Sequence, residues 1–217
     1  MSDPELIHRI RPAAGDPQGA LVLVHGRGAG EHDLEPLLDE LDPERRLVGV
    51  LPRGPLSLPP GGAHWYVVPR VGFPDPATFH DSYRRLGEFV DSVPERFGAP
   101  ADRVVIGGFS QGAVMSLALG LGASRPAPAG VLALSGFIPR VEGLDIDPAA
   151  KRGLPVLIAH GTLDPVIPID FAWDARSRLE GTGVDLTYYE SPIPHTIDSR
   201  LIPDMRAWLR TATGDAG

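Results

Sequence analysis

The segment Gly108-Phe109-Ser110-Gln111-Gly112 places a serine midway between two glycines. Apolar residues 104–106 before it predict a buried strand, and residues 113–119 after it predict a helix. A serine on such a sharp turn has a strained backbone, and side chains at the glycine positions would collide where the strand and the helix nearly touch. The pattern therefore predicts that the turn exposes the hydroxyl of Ser110 as a nucleophile.

Two further residues could activate this serine, because a hydroxyl nucleophile needs a base and a third group that holds the base in the right tautomer. His195 follows the last predicted strand, and Asp164 follows the strand predicted over residues 155–160. Taken singly, His195 could be a surface histidine and Asp164 could form a turn before Pro165. The order serine, aspartate, histidine along the chain is that of the α/β-hydrolase fold, and it favours a catalytic triad.

Other acids and histidines lie near the ends of predicted strands. Asp145 and Asp147 follow the strand predicted over residues 130–134 and are the alternative acids. His25 and His160 each precede a glycine at the end of a predicted strand, so either could be mistaken for the base. We expect both histidines to be structural neighbours of the site.

Acyl transfer also needs two N–H donors aimed at the developing oxyanion. One is expected to be the backbone N–H of Gln111, the residue after the predicted nucleophile. The second is expected from the segment His25-Gly26-Arg27-Gly28-Ala29-Gly30, which follows the strand predicted over residues 20–25, with the Arg27 amide as the candidate. This segment could instead cradle a phosphate, but it lacks the Lys-Ser/Thr ending of a P-loop and the glycine spacing of a dinucleotide site.

The composition is that of an ordinary globular domain, since 42% hydrophobic and 22% charged residues argue against disorder and coiled coils. The absence of cysteine excludes disulfide scaffolds, thiolate zinc sites, iron–sulfur clusters and a cysteine nucleophile. The 7 histidines are dispersed and give no metal-ligand spacing, so no metal is expected. The net charge of -8 and the scattered basic residues argue against a nucleic-acid partner.

The start of the chain and its apolar runs do not indicate a membrane protein. The segment Met1-Ser2-Asp3-Pro4-Glu5 lacks a positive stretch followed by an apolar one. The apolar run over residues 113–123 is too short to span a bilayer. We therefore expect a cytoplasmic location.

Short apolar runs alternate with helical patterns along most of the 217 residues, which predicts one α/β domain with a mainly parallel sheet. Strands are predicted over residues 6–10, 20–25, 46–51, 103–108, 130–134, 155–160 and 184–190. Helices are predicted between them, over residues 33–41, 77–97, 111–121, 169–179 and 197–209. Pro94 is expected to end or bend the second of these helices.

Residues 51–76 depart from this alternation because prolines and glycines are concentrated there. We expect an irregular excursion near the active site, either a wall or lid over a substrate site or a solvent-facing connector. Trp65 in this segment is expected to present an apolar face beside Ser110. Other apolar residues near the predicted catalytic loops could line an acyl pocket or belong to the core: Leu58, Phe137, Val166 and Ile167.

Several segments together resemble the phospholipase/carboxylesterase family, which includes acyl-protein thioesterases and small bacterial carboxylesterases. They are His25-Gly26-Arg27-Gly28, Gly107-Gly108-Phe109-Ser110-Gln111-Gly112-Ala113, Leu134-Ser135-Gly136-Phe137-Ile138-Pro139, His160-Gly161-Thr162-Leu163-Asp164-Pro165-Val166-Ile167-Pro168 and His195. The resemblance spans most of the chain and implies an α/β-hydrolase fold, with helices on both faces of a sheet of about seven strands. It also implies hydrolysis of carboxylic esters or thioesters without a cofactor, by the same triad and oxyanion amides. The chain departs from the family at Pro194, where members often have glycine.

The resemblance and the triad leave the reaction and the substrate open, because a fold does not fix a reaction. A serine carboxylesterase is the leading interpretation, with acyl-protein thioesterase or lysophospholipase-like activity as alternatives. A peptidase, lyase or perhydrolase could use the same residues. A non-catalytic ligand-binding relative is expected to lack a member of the triad, and all three members are present here. The expected partner is a small-molecule ester, and the chain could act as a monomer or a homodimer.

Overall fold

The computed structural model describes residues 5–214. Residues 1–4, on which most of the expectation about the start of the chain rests, lie outside the described residues. The main sheet has seven strands in the order β1-β3-β2-β6-β7-β8-β9. Their bounds are β1 His8–Arg11, β2 Ala20–Val24, β3 Val48–Pro52, β6 Val104–Phe109, β7 Gly130–Leu134, β8 Pro155–Gly161 and β9 Asp185–Ser191. A separate hairpin is formed by β4, Leu56–Leu58, and β5, Gly62–His64.

The main sheet is parallel except at one edge. Only β1 runs antiparallel to its neighbour, pairing His8 with Pro52, whereas β3, β2, β6, β7, β8 and β9 pair in parallel. Strands β2, β3 and β7 are buried at every residue, as expected for strands that are covered on both faces. The predicted mainly parallel sheet is confirmed, and the predicted strand bounds are within about two residues of those observed.

Helices cover both faces of the sheet. They are α1 Glu35–Leu41, α2 Pro76–Phe97, α3 Gln111–Leu121, α4 Asp170–Leu179 and α5 Ile202–Ala212. On β2, Leu21 and Leu23 belong to the apolar cluster that contains residues of α1 and α5. Alternate residues of the same strand belong to the cluster that contains residues of α2, α3 and α4. Side chains of a strand alternate between the two faces of its sheet, so each strand contributes to two cores.

Helix α2 continues past Pro94 and ends at Phe97, the residue at which the sequence predicted its end, so the proline lies near the end of the helix but does not itself stop it. The helix begins after Asp75, whose carboxylate accepts a hydrogen bond of 2.9 Å from the backbone N–H of Thr78. It ends at Phe97, and Gly98 follows in the left-handed conformation with φ of 68°. Pro94 lies in the last turn, where a missing N–H removes a single helical hydrogen bond.

The proline-rich segment is less irregular than expected. Residues 51–76 contain the hairpin of β4 and β5, in which Leu56 pairs with His64. A second, tighter turn brings Arg70 into an isolated antiparallel bridge with Phe73. Apart from the end of β3 at Pro52 and the start of α2 at Pro76, the remainder of the segment has no helix or strand, so part of the expectation holds.

Parallel strands end at the same edge of a sheet, and this positions the candidate residues. Ser110 directly follows β6, Asp164 follows β8 and His195 follows β9, and these strands run parallel. The three residues therefore lie at the carboxyl edge of the sheet, where open α/β sheets bind their ligands. Within residues 5–214, each helix is too short or too polar to cross a lipid bilayer.

Candidate active site

Ser110 lies on the sharp turn that the sequence predicts. Its backbone has φ of 55° and ψ of −119°, a conformation that residues other than glycine seldom adopt, and α3 begins at the next residue. A Cβ atom at Gly112 would overlap the backbone carbonyl of Val24, and one at Gly108 would collide with the same carbonyl oxygen. The two glycines thus let β2, β6 and α3 approach closely around the serine.

His195 joins the serine to the acid. Its Nε2 lies 3.0 Å from Oγ of Ser110, and its Nδ1 lies 2.6 Å from Oδ2 of Asp164. The imidazole ring also packs on the ring of Phe109, with the two centroids 4.8 Å apart. With a proton on Nδ1, the histidine donates to the carboxylate and leaves Nε2 free to accept the serine proton.

Asp164 is fixed by its own turn. Its Oδ1 accepts hydrogen bonds from the backbone N–H groups of Val166, at 2.8 Å, and Ile167, at 2.9 Å. The carboxylate has no exposure to solvent. Asp164 therefore forms the turn around Pro165 and also presents its second oxygen to His195. The turn that its sequence context suggests and a contact with His195 are therefore compatible in one residue.

The alternative acids have other contacts. Asp147 accepts a hydrogen bond from the backbone N–H of Ala150 and thereby caps the short 3-10 turn Pro148–Lys151. The main-chain carbonyl of Asp145 accepts a hydrogen bond from the N–H of Ala123. Within residues 5–214, neither carboxylate forms a hydrogen bond or ion pair with His195, so Asp164 takes that place.

His25 and His160 are buried beside the site. Nδ1 of His25 donates to the carbonyl of Gly26 at 2.7 Å, and its Nε2 accepts from the N–H of Gly54 at 2.9 Å. Nε2 of His160 donates to the carbonyl of Ile167 at 2.8 Å and lies 3.5 Å from Oδ2 of Asp164. Burial lowers the pKa of both histidines, which favours their neutral forms. Neither forms a hydrogen bond with Ser110 within residues 5–214.

Two candidate oxyanion donors face the same cavity as Ser110. Both Arg27 and Gln111 line this cavity. Neither of their backbone N–H groups donates to another protein group among residues 5–214. The loop that contains Arg27 is fastened to β5, because the N–H of Gly28 donates to the carbonyl of Ala63 and the N–H of Ala63 donates to the carbonyl of Ala29, both at 2.8 Å.

Trp65 does not occupy the place that the sequence suggested. Its side chain is 0% exposed, its indole N–H donates to the carbonyl of His25 at 3.0 Å, and it does not line the cavity beside Ser110. Its carbonyl accepts a hydrogen bond from the hydroxyl of Ser82, and its N–H donates to the side chain of Gln111. These contacts direct the indole into the core, and the neighbouring Tyr66 lines the cavity instead.

The cavity beside Ser110 has a volume of about 360 Å³. Three of the apolar residues proposed from the sequence line it: Phe137, Val166 and Ile167. Leu58 is not among its lining residues; its side chain lies near Gly28. The sequence analysis missed the lining residues of the proline-rich segment, which are Tyr66, Val68, Arg70, Val71, Gly72 and Pro74. The sequence signal for them was that they all lie in residues 51–76, the segment expected near the active site. No spacing distinguishes them from their neighbours within it.

Residues 5–214 hold no group of three or more histidine, aspartate or glutamate side chains that could bind a metal ion. The candidate reactive groups at Ser110 are its hydroxyl, the imidazole of His195, the carboxylate of Asp164 and two main-chain amides. This set can transfer an acyl group to Ser110 and then to water.

The chain is similar to hydrolases in both sequence and structure. The family model described as phospholipase/carboxylesterase matches residues 6–213. An acyl-protein thioesterase 1 of Candida albicans is 32% identical over 222 residues, which cover 93% of this chain and 95% of the relative. A putative hydrolase, MhqD of Bacillus subtilis, is 27% identical over 198 residues, which cover 91% of this chain and 96% of the relative.

Solved structures of esterases share the fold. The crystal structure of esterase PE8 has a TM-score of 0.80 and 26% identity, covering 96% of this chain and 100% of the esterase. The carboxylesterase of Bacillus cereus has a TM-score of 0.81 and 23% identity, covering 95% of this chain and 94% of that one. The α/β-hydrolase fold expected from the order of the triad is therefore confirmed.

Proposed function

This chain belongs to the phospholipase/carboxylesterase family of hydrolases, and we propose that it cleaves carboxylic esters through an acyl-enzyme on Ser110. The observation that carries the proposal is the continuous hydrogen-bonded chain from the Ser110 hydroxyl through His195 to Asp164, with separations of 3.0 Å and 2.6 Å. A binding protein has no need of a strained serine whose hydroxyl faces an imidazole held by a buried carboxylate.

In the first step, Oγ of Ser110 attacks the ester carbonyl carbon while Nε2 of His195 takes the hydroxyl proton. The new imidazolium is stabilised by the carboxylate of Asp164, to which its Nδ1–H donates a hydrogen bond. The carbonyl oxygen becomes an oxyanion and accepts hydrogen bonds from the backbone N–H groups of Arg27 and Gln111. Each such donor contributes on the order of 3 kcal/mol to lowering the barrier.

The tetrahedral intermediate then collapses. The bond between the carbonyl carbon and the alcohol oxygen breaks, and His195 returns its proton to the departing alcohol. A water molecule repeats the sequence on the acyl-enzyme, giving its proton to His195 and releasing the carboxylic acid as Ser110 is regenerated. These steps require no cofactor, because each proton and charge is handled by a residue of the cavity.

A thioester is a second candidate substrate. The same attack on a thioester expels a thiol in place of an alcohol, and one of the relatives described above is an acyl-protein thioesterase 1 of Candida albicans. The apolar part of the cavity suits an acyl chain in either case, since Tyr66, Val68, Val71 and Phe137 are among its lining residues.

The proposal is tested with Ser110→Ala and the matched control Ser116→Ala. Ser116 is a buried serine on α3 whose hydroxyl donates to the carbonyl of Gly112, so its loss tests the effect of removing a hydroxyl elsewhere on the same helix. We expect Ser110→Ala to lower kcat by about 10⁶-fold, as for other serine nucleophiles. A fluorophosphonate is expected to label the wild type and Ser116→Ala but not Ser110→Ala.

The substrates are nitrophenyl esters of graded acyl length together with an acyl thioester, so that ester and thioester turnover are compared directly. Activity in Ser110→Ala above about one thousandth of the wild-type value would contradict the assignment of the nucleophile. Turnover of neither substrate class by the wild type would contradict the proposed function itself.

A further inference from the structure

The cavity beside Ser110 differs in charge from the chain as a whole. The sequence has a net charge of -8, yet the residues that line the cavity include two arginines, Arg27 and Arg70, and no aspartate or glutamate. A cavity lined by charges of one sign concentrates ligands of the opposite sign. The charge of the cavity therefore favours a ligand that is more negative than the protein around it.

Neither cavity arginine is paired with a carboxylate in the part of the chain that the structure describes. Among residues 5–214, neither guanidinium forms an ion pair or hydrogen bond with a carboxylate. Most other arginines do, including Arg11, which lies 2.6 Å from Asp42. Arg53 lies close to the same loop as Arg27 and is 2.9 Å from Glu31. Arg27 and Arg70, each without a carboxylate partner, thus line the cavity that also contains Ser110.

Arg70 is held in place by its own turn. The N–H of Phe73 donates to the carbonyl of Arg70 at 3.0 Å, and Gly72 between them has φ of 84°. The guanidinium carbon lies 3.7 Å from the centroid of the Phe73 ring. Stacking on an aromatic face orients the guanidinium and leaves the N–H groups at its edge able to donate to a ligand.

Arg27 belongs to the loop that supplies a proposed oxyanion donor. This loop is fastened to β5 through Gly28 and Ala29, so the position of its backbone is set by the fold. Its guanidinium belongs to the residue whose amide is the proposed oxyanion donor, and Arg70 lines the same cavity from the proline-rich segment. An ester bound with its carbonyl at these amides would have an arginine on two sides.

We propose that the ester carries a negatively charged oxyanion group, a carboxylate or a phosphate, which Arg70 and Arg27 bind while Ser110 attacks the ester carbonyl. Guanidinium groups match these oxyanions because their paired N–H donors form two parallel hydrogen bonds. This inference rests on the proposed esterase function and narrows its substrate class from carboxylic esters in general to anionic ones.

The test compares esters that differ only in charge. In the acyl pair, the 4-nitrophenyl monoester of glutaric acid is set against its terminal amide. In the alcohol pair, 3-acetoxybenzoate is set against 3-acetoxybenzamide. The 4-nitrophenyl ester of 4-phosphonobutyric acid separates phosphate-like from carboxylate recognition. We expect the wild type to prefer the charged member of at least one pair by about 10- to 100-fold in kcat/KM, the usual value for hydrogen bonds to a charged group.

Substitutions of Arg70 test whether this residue causes the preference for the charged esters. Arg70→Gln is expected to remove most of the ratio of charged to uncharged kcat/KM, and Arg70→Lys is expected to keep part of it because the charge remains. Arg84→Gln is the matched control, since Arg84 lies on the exposed side of α2 with Asp81 and Glu88 and changes the net charge equally. It is expected to leave the ratio as in the wild type.

Equal kcat/KM for the charged and uncharged members of both pairs would overturn the inference, while Ser110-dependent turnover of the amides would leave the proposed function standing. A ratio that survives Arg70→Gln would overturn it as well. If no ester is hydrolysed and the fluorophosphonate does not label Ser110, both the inference and the proposed function fail.

Discussion

The backbone N–H of Trp65 donates a hydrogen bond of 3.0 Å to Oε1 of Gln111, and Nε2 of Gln111 donates in turn to the carbonyl of Tyr66 at 2.9 Å. The residue after the proposed nucleophile thus fastens the wall of the cavity with its side chain. Its own N–H is the proposed oxyanion donor. One buried glutamine therefore couples the position of the wall to the position of the reacting groups.

Gln111→Ala is expected to destabilise the protein by about 2–5 kcal/mol, because it leaves a buried N–H and a buried carbonyl without partners. We expect kcat/KM to fall too, since the cavity wall is no longer tied to the nucleophile turn. Urea unfolding and ester turnover measure the two effects. Gln111→Glu keeps an acceptor for Trp65 but loses the donor to Tyr66. A stability loss below about 1 kcal/mol for Gln111→Ala would contradict this account.

The strained backbone of Ser110 predicts that glycine and alanine at this position give proteins of different stability. Both Ser110→Gly and Ser110→Ala remove the hydroxyl, but only glycine adopts φ of 55° and ψ of −119° without steric cost. We expect Ser110→Gly to be more stable than Ser110→Ala by about 1–2 kcal/mol. At Ser116, inside α3, the order is expected to reverse by about 1 kcal/mol. If urea unfolding shows that Ser110→Ala is at least as stable as Ser110→Gly, the turn is not strained.

Trp65→Ala is expected to lower the stability of the protein rather than change its substrate specificity. The indole is fully buried and packs against His25, with ring centroids 5.4 Å apart, so its removal leaves a cavity in the core. The expected loss is about 3–5 kcal/mol in the free energy of unfolding. Trp65→Phe, which retains most of the volume but not the hydrogen bond to the His25 carbonyl, is expected to lose less. A fully stable Trp65→Ala would be incompatible with this packing.

The buried histidines predict how stability depends on pH. Burial lowers the pKa of His160 and His25 below the ordinary value of 6.5, so the unfolded chain binds protons that the folded chain does not. Their contribution is therefore complete above pH 6.5 and is lost as the pH falls below it. We expect His160→Gln to flatten the fall in unfolding free energy between about pH 7 and 5.

The control for this pH dependence is His32→Gln. The side chain of His32 is 67% exposed, and its only ion pair within residues 5–214 is a contact of 3.6 Å with Glu31. We expect its variant to reproduce the wild-type slope in urea unfolding measured at each pH. A slope that is equally steep in His160→Gln would mean that other groups, chiefly carboxylates, account for the acid lability.

The sequence was sufficient for the sheet and for the hydrogen-bonded trio because both follow from local patterns. Alternating apolar runs place Ser110, Asp164 and His195 after parallel strands, and parallel strands end at one edge. The hairpin in residues 51–76 was not predictable in this way. Its Ala63 pairs with the distant Ala29 and Gly28, a contact between two loops that no local pattern encodes.

The orientation of Trp65 was not predictable either, because it too depends on contacts between distant parts of the chain. Both residues are buried, and the main chain of Trp65 is held by Gln111 and Ser82, which lie far away along the chain. Composition marked this segment as unusual but gave no information about its partners.

The spacing of the trio along the chain has a consequence for the newly made polypeptide. Ser110 and His195 are 85 residues apart, and Asp164 and His195 are 31 apart. At a synthesis rate of about 5–20 residues per second, the serine exists for roughly 4–17 s before its base is even polymerised. If His195 is the base, as proposed, truncated chains that end before residue 195 carry the serine without the residue that activates it. Such fragments are then expected to be inert, and hydrolysis is expected to begin only once the last strand and its loop have joined the sheet.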